Sequence, residues 1–279
     1  MSDLPEKLTI LRSEGTSSTL TLVRAAAPES PVVLVVPAMG MPAGYYGKLL
    51  TALAAAGVSA AVMEQRGHEE AGDGPGGRRP GWRYDFGYAD LVDDVGAAVD
   101  ELERVVPGAP AYLLGHSLGG QVGSAYAATH ADRLAGLVFV ASSSPYWRYG
   151  PRGFLPVSQA MGLLPQVVGH FPGKHVRFAG REARGLMRDW ARFARTGRMR
   201  FGRPAVDYTG PLRTLRLPCL SVSIAGDALA GPAAVDGLVA MMPRLDLTRV
   251  HLDEDGLDHF RWARRPDAVV ATVTDWLAR

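Results

Sequence analysis

The run Val32-Val33-Leu34-Val35-Val36 is the feature that most restricts what this chain can fold into. Five consecutive apolar, mostly β-branched residues are too few for a buried helix and lack the alternation of a half-exposed strand. They predict a strand buried on both faces. Such a strand belongs in a parallel sheet covered by helices on both sides, and a parallel sheet needs crossover connections. The surrounding sequence supplies them. A helix is expected over 45–56, stopped by Gly57, then a strand over 58–63, a Gly/Pro/Arg loop over 72–81 and a longer helix over 88–106. A strand over 111–114, a helix over 119–129 and a strand over 134–142 follow. Upstream, 8–23 alternates apolar and polar residues about a turn at 14–18, which predicts an antiparallel hairpin at a sheet edge.

The alternation breaks at Pro145. From 145 to 210 the spacing is helical, best over 180–196, with no strong strand. It resumes with a strand over 219–225, a helix over 233–242, a strand over 247–252 and a closing helix over 266–277. The expected fold class is α/β: a doubly wound, mostly parallel sheet built from 1–144 and 211–279, with 145–210 as an inserted helical lid. An insertion there lies over the carboxyl ends of the strands, where ligands bind in open sheets. No repeat at a solenoid period and no linker between independent domains interrupts this pattern.

At 279 residues, 47% hydrophobic and 21% charged, the chain has the composition of a folded globular protein, which excludes disorder and fibrous repeats. Its longest apolar stretches, 31–41 and 134–141, fall far short of the roughly 20 residues that span a bilayer. Residues 1–14 carry acids and hydroxyls without an apolar run after a basic start, so no secretory leader is expected. The single cysteine, Cys219, cannot form an internal disulfide, in keeping with a reducing, cytoplasmic compartment. The net charge of +2 is unevenly spread: 145–210 holds eleven arginines and one lysine against Glu182, Asp189 and Asp207, a net +9, leaving −7 elsewhere.

Between the strand at 111–114 and the helix at 119–129 stands Gly115-His116-Ser117-Leu118-Gly119. A serine hydroxyl attacks a carbonyl only when a base takes its proton and donors receive the charge on the carbonyl oxygen. The Gly-x-Ser-x-Gly turn meets both needs: its glycines permit a tight strand-to-helix elbow that lifts the hydroxyl above the sheet, and the amide of Leu118 faces the oxyanion. In sheets with this elbow the chain order is nucleophile, acid, histidine. Asp227, at the end of the strand over 219–225, is the candidate acid, against Asp236, which falls on a helix, and Asp253, Asp255 and Asp258, which crowd the histidine loop. Of seven histidines, His68, His116, His130, His170 and His175 precede the acid, and His251 lies inside a strand. His259, in the loop after the last strand, is the candidate base. The second oxyanion donor is expected from the turn Pro37-Ala38-Met39-Gly40, with the Met39 amide as the candidate.

The blocks Pro37-Ala38-Met39-Gly40 with Tyr45-Tyr46, Gln65-Arg66-Gly67-His68, the Ser117 elbow, Pro145-Tyr146-Trp147-Arg148 and Asp258-His259-Phe260-Arg261-Trp262 together resemble α/β-hydrolases related to serine aminopeptidases and lysophospholipases. The resemblance spans nearly the whole chain. It implies a nucleophile at Ser117, an acid at Asp227 and a base at His259. Two departures stand out: Pro37-Ala38 occupies the place of a common His-Gly, and Glu69-Glu70 follows Arg-Gly-His where Gly-Ser is common.

The expected activity is cleavage of an ester or thioester of a small acyl substrate through an acyl-enzyme, with no metal or cofactor; transfer to an internal nucleophile would use the same residues. Two rivals remain: a binding protein that keeps only the fold, and a lyase or isomerase using the same groups for proton transfer. Tyr146 and Trp147, just past a strand end, either wall an acyl pocket or simply pack beneath the lid. Arg177, Arg181, Arg184, Arg188, Arg192 and Arg195 recur at spacings of three and four, giving a helix face that either attracts a carrier protein, coenzyme A or another anion, or is merely solvated. Nothing beyond that charge suggests nucleic acid, since no aromatic platform or metal-ligand cluster accompanies it.

Overall fold

A computed structural model describes residues 5–69, 78–176 and 178–279. Most of the loop expected over 72–81, together with Glu70 and Arg177, lies outside the described residues. The chain forms an eight-stranded sheet from β1 (Glu6–Leu11), β2 (Ser17–Val23), β3 (Val32–Val36), β4 (Ser59–Met63), β5 (Ala111–His116), β6 (Gly136–Val140), β7 (Pro218–Ile224) and β8 (Asp246–Leu252). Their order is β1-β2-β4-β3-β5-β6-β7-β8. The hairpin β1–β2 joins β4 antiparallel, and every later pair is parallel.

The five residues of β3 are all buried, as are those of β4 and β6, because helices cover both faces. On one face α2 (Tyr88–Val105) and α3 (Leu118–Ala127) bury Val95, Val99, Leu102, Val122 and Tyr126. On the other, α1 (Gly47–Ala55) and the C-terminal helix (Asp267–Leu277) bury Leu49, Leu53, Val269 and Val273 around Trp262. Connections leave β3 toward β4 on one side and reach β5 on the other, so the loops after β3 and β5 diverge. Open sheets bind ligands in that crevice.

Between 145 and 210 the larger elements are α4 (Phe154–Val168) and α5 (Arg184–Thr196), packed against each other, with two-residue ladders pairing Phe171–Pro172 with Arg181–Glu182 and Arg200–Phe201 with Val206–Asp207. A single-turn helix at Thr209–Leu212 leads back to the sheet, where α6 (Pro232–Val239) follows β7. No described helix is long and apolar enough to cross a membrane.

Candidate active site

β5 runs two residues further than its sequence suggests, through His116, and α3 starts at Leu118, so Ser117 alone makes the turn. It adopts φ 53° and ψ −114°. A side chain in that region costs about 1–3 kcal/mol, strain that the surrounding packing must hold. The glycines explain how it does. A Cβ at Gly119 would overlap the Val36 carbonyl, and one at Gly115 would overlap the Gly120 backbone. The elbow closes only because nothing projects there.

Ser117, Met39, Leu118 and His259 line one cavity of about 280 Å³. As the first residue of α3, Leu118 offers an amide with no acceptor one turn back, at the positive end of the helix dipole. In the turn after β3, the neighbouring amides are occupied. Ala38 N–H donates to Tyr46 Oη (2.9 Å), Gly40 N–H to Gln65 Oε1 (2.7 Å) and Met41 N–H to the Ala38 carbonyl (3.1 Å). The Met39 amide has no partner among the described residues. Both sequence-chosen donors therefore stand at the cavity with the serine.

Asp227 follows β7 and His259 follows β8. The Asp227 Oδ2 lies 2.8 Å from His259 Nδ1, and both side chains are buried. Its other oxygen accepts the amides of Leu229 and Ala230, each at 2.8 Å, so the carboxylate is held from both ends. An imidazole whose Nδ1–H is bonded to a carboxylate keeps Nε2 free to accept a proton. Two of the competing carboxylates are used elsewhere: Asp236 pairs with Arg249 at 3.2 Å, and Asp258 caps the amides of Phe260 and Arg261. His251 is exposed on β8 and meets Ser223 at 2.8 Å.

His116, set aside as a base by chain order, turns out to be structural. It is completely buried, and that burial, with His259 nearby, pushes its pKa well below the ordinary imidazole value. A neutral ring has one donor and one acceptor. One tautomer fits both neighbours: Tyr46 O–H donates to Nδ1 at 2.8 Å, and Nε2–H donates to the His259 carbonyl at 2.7 Å. The chain Ala38 amide, Tyr46, His116, His259 carbonyl thus ties the turn after β3 to the loop that carries His259. The same Tyr46 oxygen holds the Ala38 amide, in the Pro37-Ala38 segment.

The Gln65-Arg66-Gly67-His68 block works as a clamp. Gln65 holds Gly40; Arg66 is buried in a bidentate pair with Asp94 (2.6 and 2.9 Å) and also bonds Glu14. Glu69, one of the departures, pairs with buried Arg12 at 2.7 Å and accepts the Gly67 amide at 2.9 Å. His68 Nε2 lies 3.1 Å from Oε2 of the wholly buried Glu182, whose Oε1 accepts the Gly180 amide at 2.7 Å. Gly40, at φ 77°, lies so close to Gly180 that a Cβ would overlap its nitrogen. Residues 179–182 are therefore seated directly on the turn after β3.

Of the two aromatic candidates, Tyr146 lines the cavity. Trp147 does not; its ring meets Tyr146 edge-on at 6.1 Å and lies under the Arg148 guanidinium at 5.3 Å. Phe154 of α4, Phe178 and Trp190 of α5 form further wall, a cluster the sequence reading did not single out because only the tertiary fold collects it. Gln121 also lines the cavity, held by Tyr88 Oη (2.6 Å) and the Ser143 carbonyl (2.8 Å). Part of the arginine row is engaged within the protein, while Arg195 stays exposed. Arg181 donates to the Pro80 carbonyl at 2.7 Å, Arg184 stacks on Trp82, and Arg188 and Arg192 each lie 3.7 Å from buried Asp189.

Comparison with known proteins agrees with this architecture. The family model described as "Serine aminopeptidase, S33" matches residues 27–196, more than half of the chain. No curated protein matches its sequence. Among solved structures, a thermostable carboxyl esterase from Bacillus coagulans superposes with a TM-score of 0.69 at 16% identity, covering 99% of each chain. The enol-lactonase from Burkholderia xenovorans LB400 gives 0.63 at 20% identity over 98% of this chain and 100% of that one. A thioesterase domain from the curacin biosynthetic pathway gives 0.65 at 17% over 99% and 100%. At such identities these likenesses speak for the fold, and with the family match they have one consequence: the chain belongs to the serine aminopeptidase (S33) family of α/β-hydrolases.

Proposed function

We propose that the protein is a serine hydrolase that cleaves an ester or thioester of a small acyl compound through an acyl-enzyme on Ser117. The observation that carries this reading is the 2.8 Å contact between Asp227 and His259 Nδ1, at the cavity that Ser117 also lines. In this mechanism His259 Nε2 takes the Ser117 proton as Oγ attacks the carbonyl carbon, and the amides of Met39 and Leu118 receive the developing oxyanion. The tetrahedral intermediate collapses as His259 returns the proton to the departing alcohol or thiol. Water, deprotonated by the same imidazole, then attacks the acyl-serine and releases the acid. Asp227 keeps the imidazole in the required tautomer and stabilises its charged form. Tyr146, Phe154 and Trp190 supply apolar wall for the acyl group.

The activity of the esterase and thioesterase named above supports hydrolysis as the reaction class, and 145–210 acts in this reading as the lid. Treatment with a fluorophosphonate should give one adduct, on Ser117, that Ser117→Ala lacks. Folded protein without an adduct would refute the acyl-enzyme and favour a binding role or proton-transfer chemistry. Screening p-nitrophenyl esters of graded length beside acyl-coenzyme A and carrier-bound thioesters then separates the leaving groups.

A further inference from the structure

The helix α4 has the polarity of a surface helix reversed. It carries no charged residue, and every position the fold leaves exposed on it is apolar: Val157, Leu163, Leu164, Val167 and Val168, with Pro156 and Ala160 between them. Leu163 and Val167 are 66% and 76% exposed. Its polar side chains turn inward instead. Gln159 Nε2 donates to the Ala191 carbonyl at 2.8 Å, Gln166 Nε2 to the Arg184 carbonyl at 2.9 Å, and Ser158 Oγ to the Leu155 carbonyl at 2.8 Å. Trp82, itself largely exposed, packs on Gly169 and extends the ridge past the helix end. Helices facing water normally show charge, and a continuous aliphatic ridge of this kind marks a surface that something covers.

Charge identifies the cover. Along one flank of α4 runs a groove of about 350 Å³ with Leu163 on one wall and Arg188, Arg192, Arg195 and Arg203 around it. Among the described residues, Asp189 is the carboxylate within salt-bridge reach of these guanidiniums, 3.7 Å from Arg188 and Arg192, and it is buried. Arg184, which lies over the Trp82 ring at 4.9 Å, is paired with Asp85 at 3.5 Å and adds nothing to the charge of this flank. The flank therefore carries a surplus of positive charge. A second copy would set two such flanks against each other. A globular acidic partner could pair with the arginines of the groove but would leave the exposed face of Val157, Leu164, Val167 and Val168 uncovered beside it.

We propose that α4 and its arginine flank dock on an anionic lipid bilayer. The aliphatic ridge enters the headgroup boundary, and the guanidiniums lie beside lipid phosphates, with their stems along the apolar surface. At fifteen residues and with its inner face packed on α5, the helix lies in the surface and does not span it. Phe154, the first residue of α4, also lines the Ser117 cavity, so docking brings that cavity next to lipid.

Cosedimentation of the full chain with vesicles tests this without turnover, so the result stands apart from the Ser117 chemistry. The wild type should pellet with vesicles of equal parts phosphatidylcholine and phosphatidylglycerol, much less with phosphatidylcholine alone, and less at about 1 M salt, where charges are screened beyond about 3 Å. Leu163→Glu with Val167→Glu should lower the partition more than tenfold. Arg195→Gln with Arg203→Gln should lower it more than tenfold on the anionic vesicles only, at roughly fivefold for each charge. Unchanged thermal unfolding of both double variants excludes misfolding as the cause. A wild type that stays in the supernatant with anionic vesicles overturns the proposal, as do variants that pellet like the wild type. So does a wild-type dimer that Leu163→Glu converts to monomer, or capture by an acidic carrier protein without vesicle binding.

Discussion

The Nε2 of His116 lies 2.7 Å from the backbone carbonyl of His259, so the residue immediately before Ser117 fixes the backbone at His259. The other ring nitrogen reaches the turn after β3 through Tyr46. Three segments distant in sequence are thus set against one another by a single neutral imidazole. Its value lies in what it orients.

Replacing His116 by Leu should keep much of the volume but leave the Tyr46 O–H without an acceptor, although its oxygen still accepts the Ala38 amide, and the His259 carbonyl without its donor. At about 1–3 kcal/mol for each of the two groups, the loss of unfolding free energy should be about 2–6 kcal/mol. Urea denaturation reads it directly. A midpoint equal to that of the wild type would mean the network holds nothing.

Asp227→Asn keeps an oxygen for the Leu229 and Ala230 amides, so folding should change little. Its amide would then donate toward His259 Nδ1 and force the wrong tautomer. Ester turnover should fall roughly 10⁴-fold with KM nearly unchanged. Steady-state kinetics on the best p-nitrophenyl ester measure both quantities.

At Gly119 even a methyl group has no room, because the Val36 carbonyl occupies its place. Gly119→Ala should cost about 3 kcal/mol or more through forced displacement of the elbow. The expected signature is a clear drop in melting temperature together with lost fluorophosphonate labelling. Labelling at the wild-type rate would show that the elbow tolerates side chains.

For His68, burial alone would lower the pKa, but the charge and hydrogen bond of Glu182, with Glu69 adding and Lys174 opposing, raise it above the ordinary value. A raised folded-state value favours the protonated form in the native protein. Its stabilisation is complete below the unfolded value of about 6.5 and fades as pH climbs through the folded one. His68→Gln should therefore lose less stability than the wild type between mildly acidic and mildly alkaline pH. Chemical denaturation across that interval decides it; parallel curves would assign the His68–Glu182 contact no electrostatic role. Cys219, whose thiol burial pushes up to about 12, does not titrate in this interval.

The strands were readable because apolar runs such as Val32–Val36 have one comfortable place, the middle of a covered parallel sheet. Helix α5 was readable too, as its apolar and basic residues alternate with helical period. Helix α4 gives little periodic signal, since apolar residues occupy both its exposed and its inner face and only Ser158, Gln159 and Gln166 interrupt them. The elbow at Ser117 announced itself because glycine spacing is a local steric requirement. His116, Gln65 and Glu182 gave no such sign: a buried polar residue is recognisable only by the partners it meets.

Local chemistry along the chain determined which segments become strands and helices, where the backbone turns sharply at Ser117, and which carboxylate and imidazole follow strand ends in the right order. The three-dimensional fold decided what those residues touch. The Asp227–His259 contact, the His116 bridge, the seating of 179–182 on Gly40 and the exposed aliphatic ridge of α4 all join positions far apart in sequence. Backbone conformation depends on neighbours a few residues away, whereas hydrogen bonding and burial depend on neighbours in space.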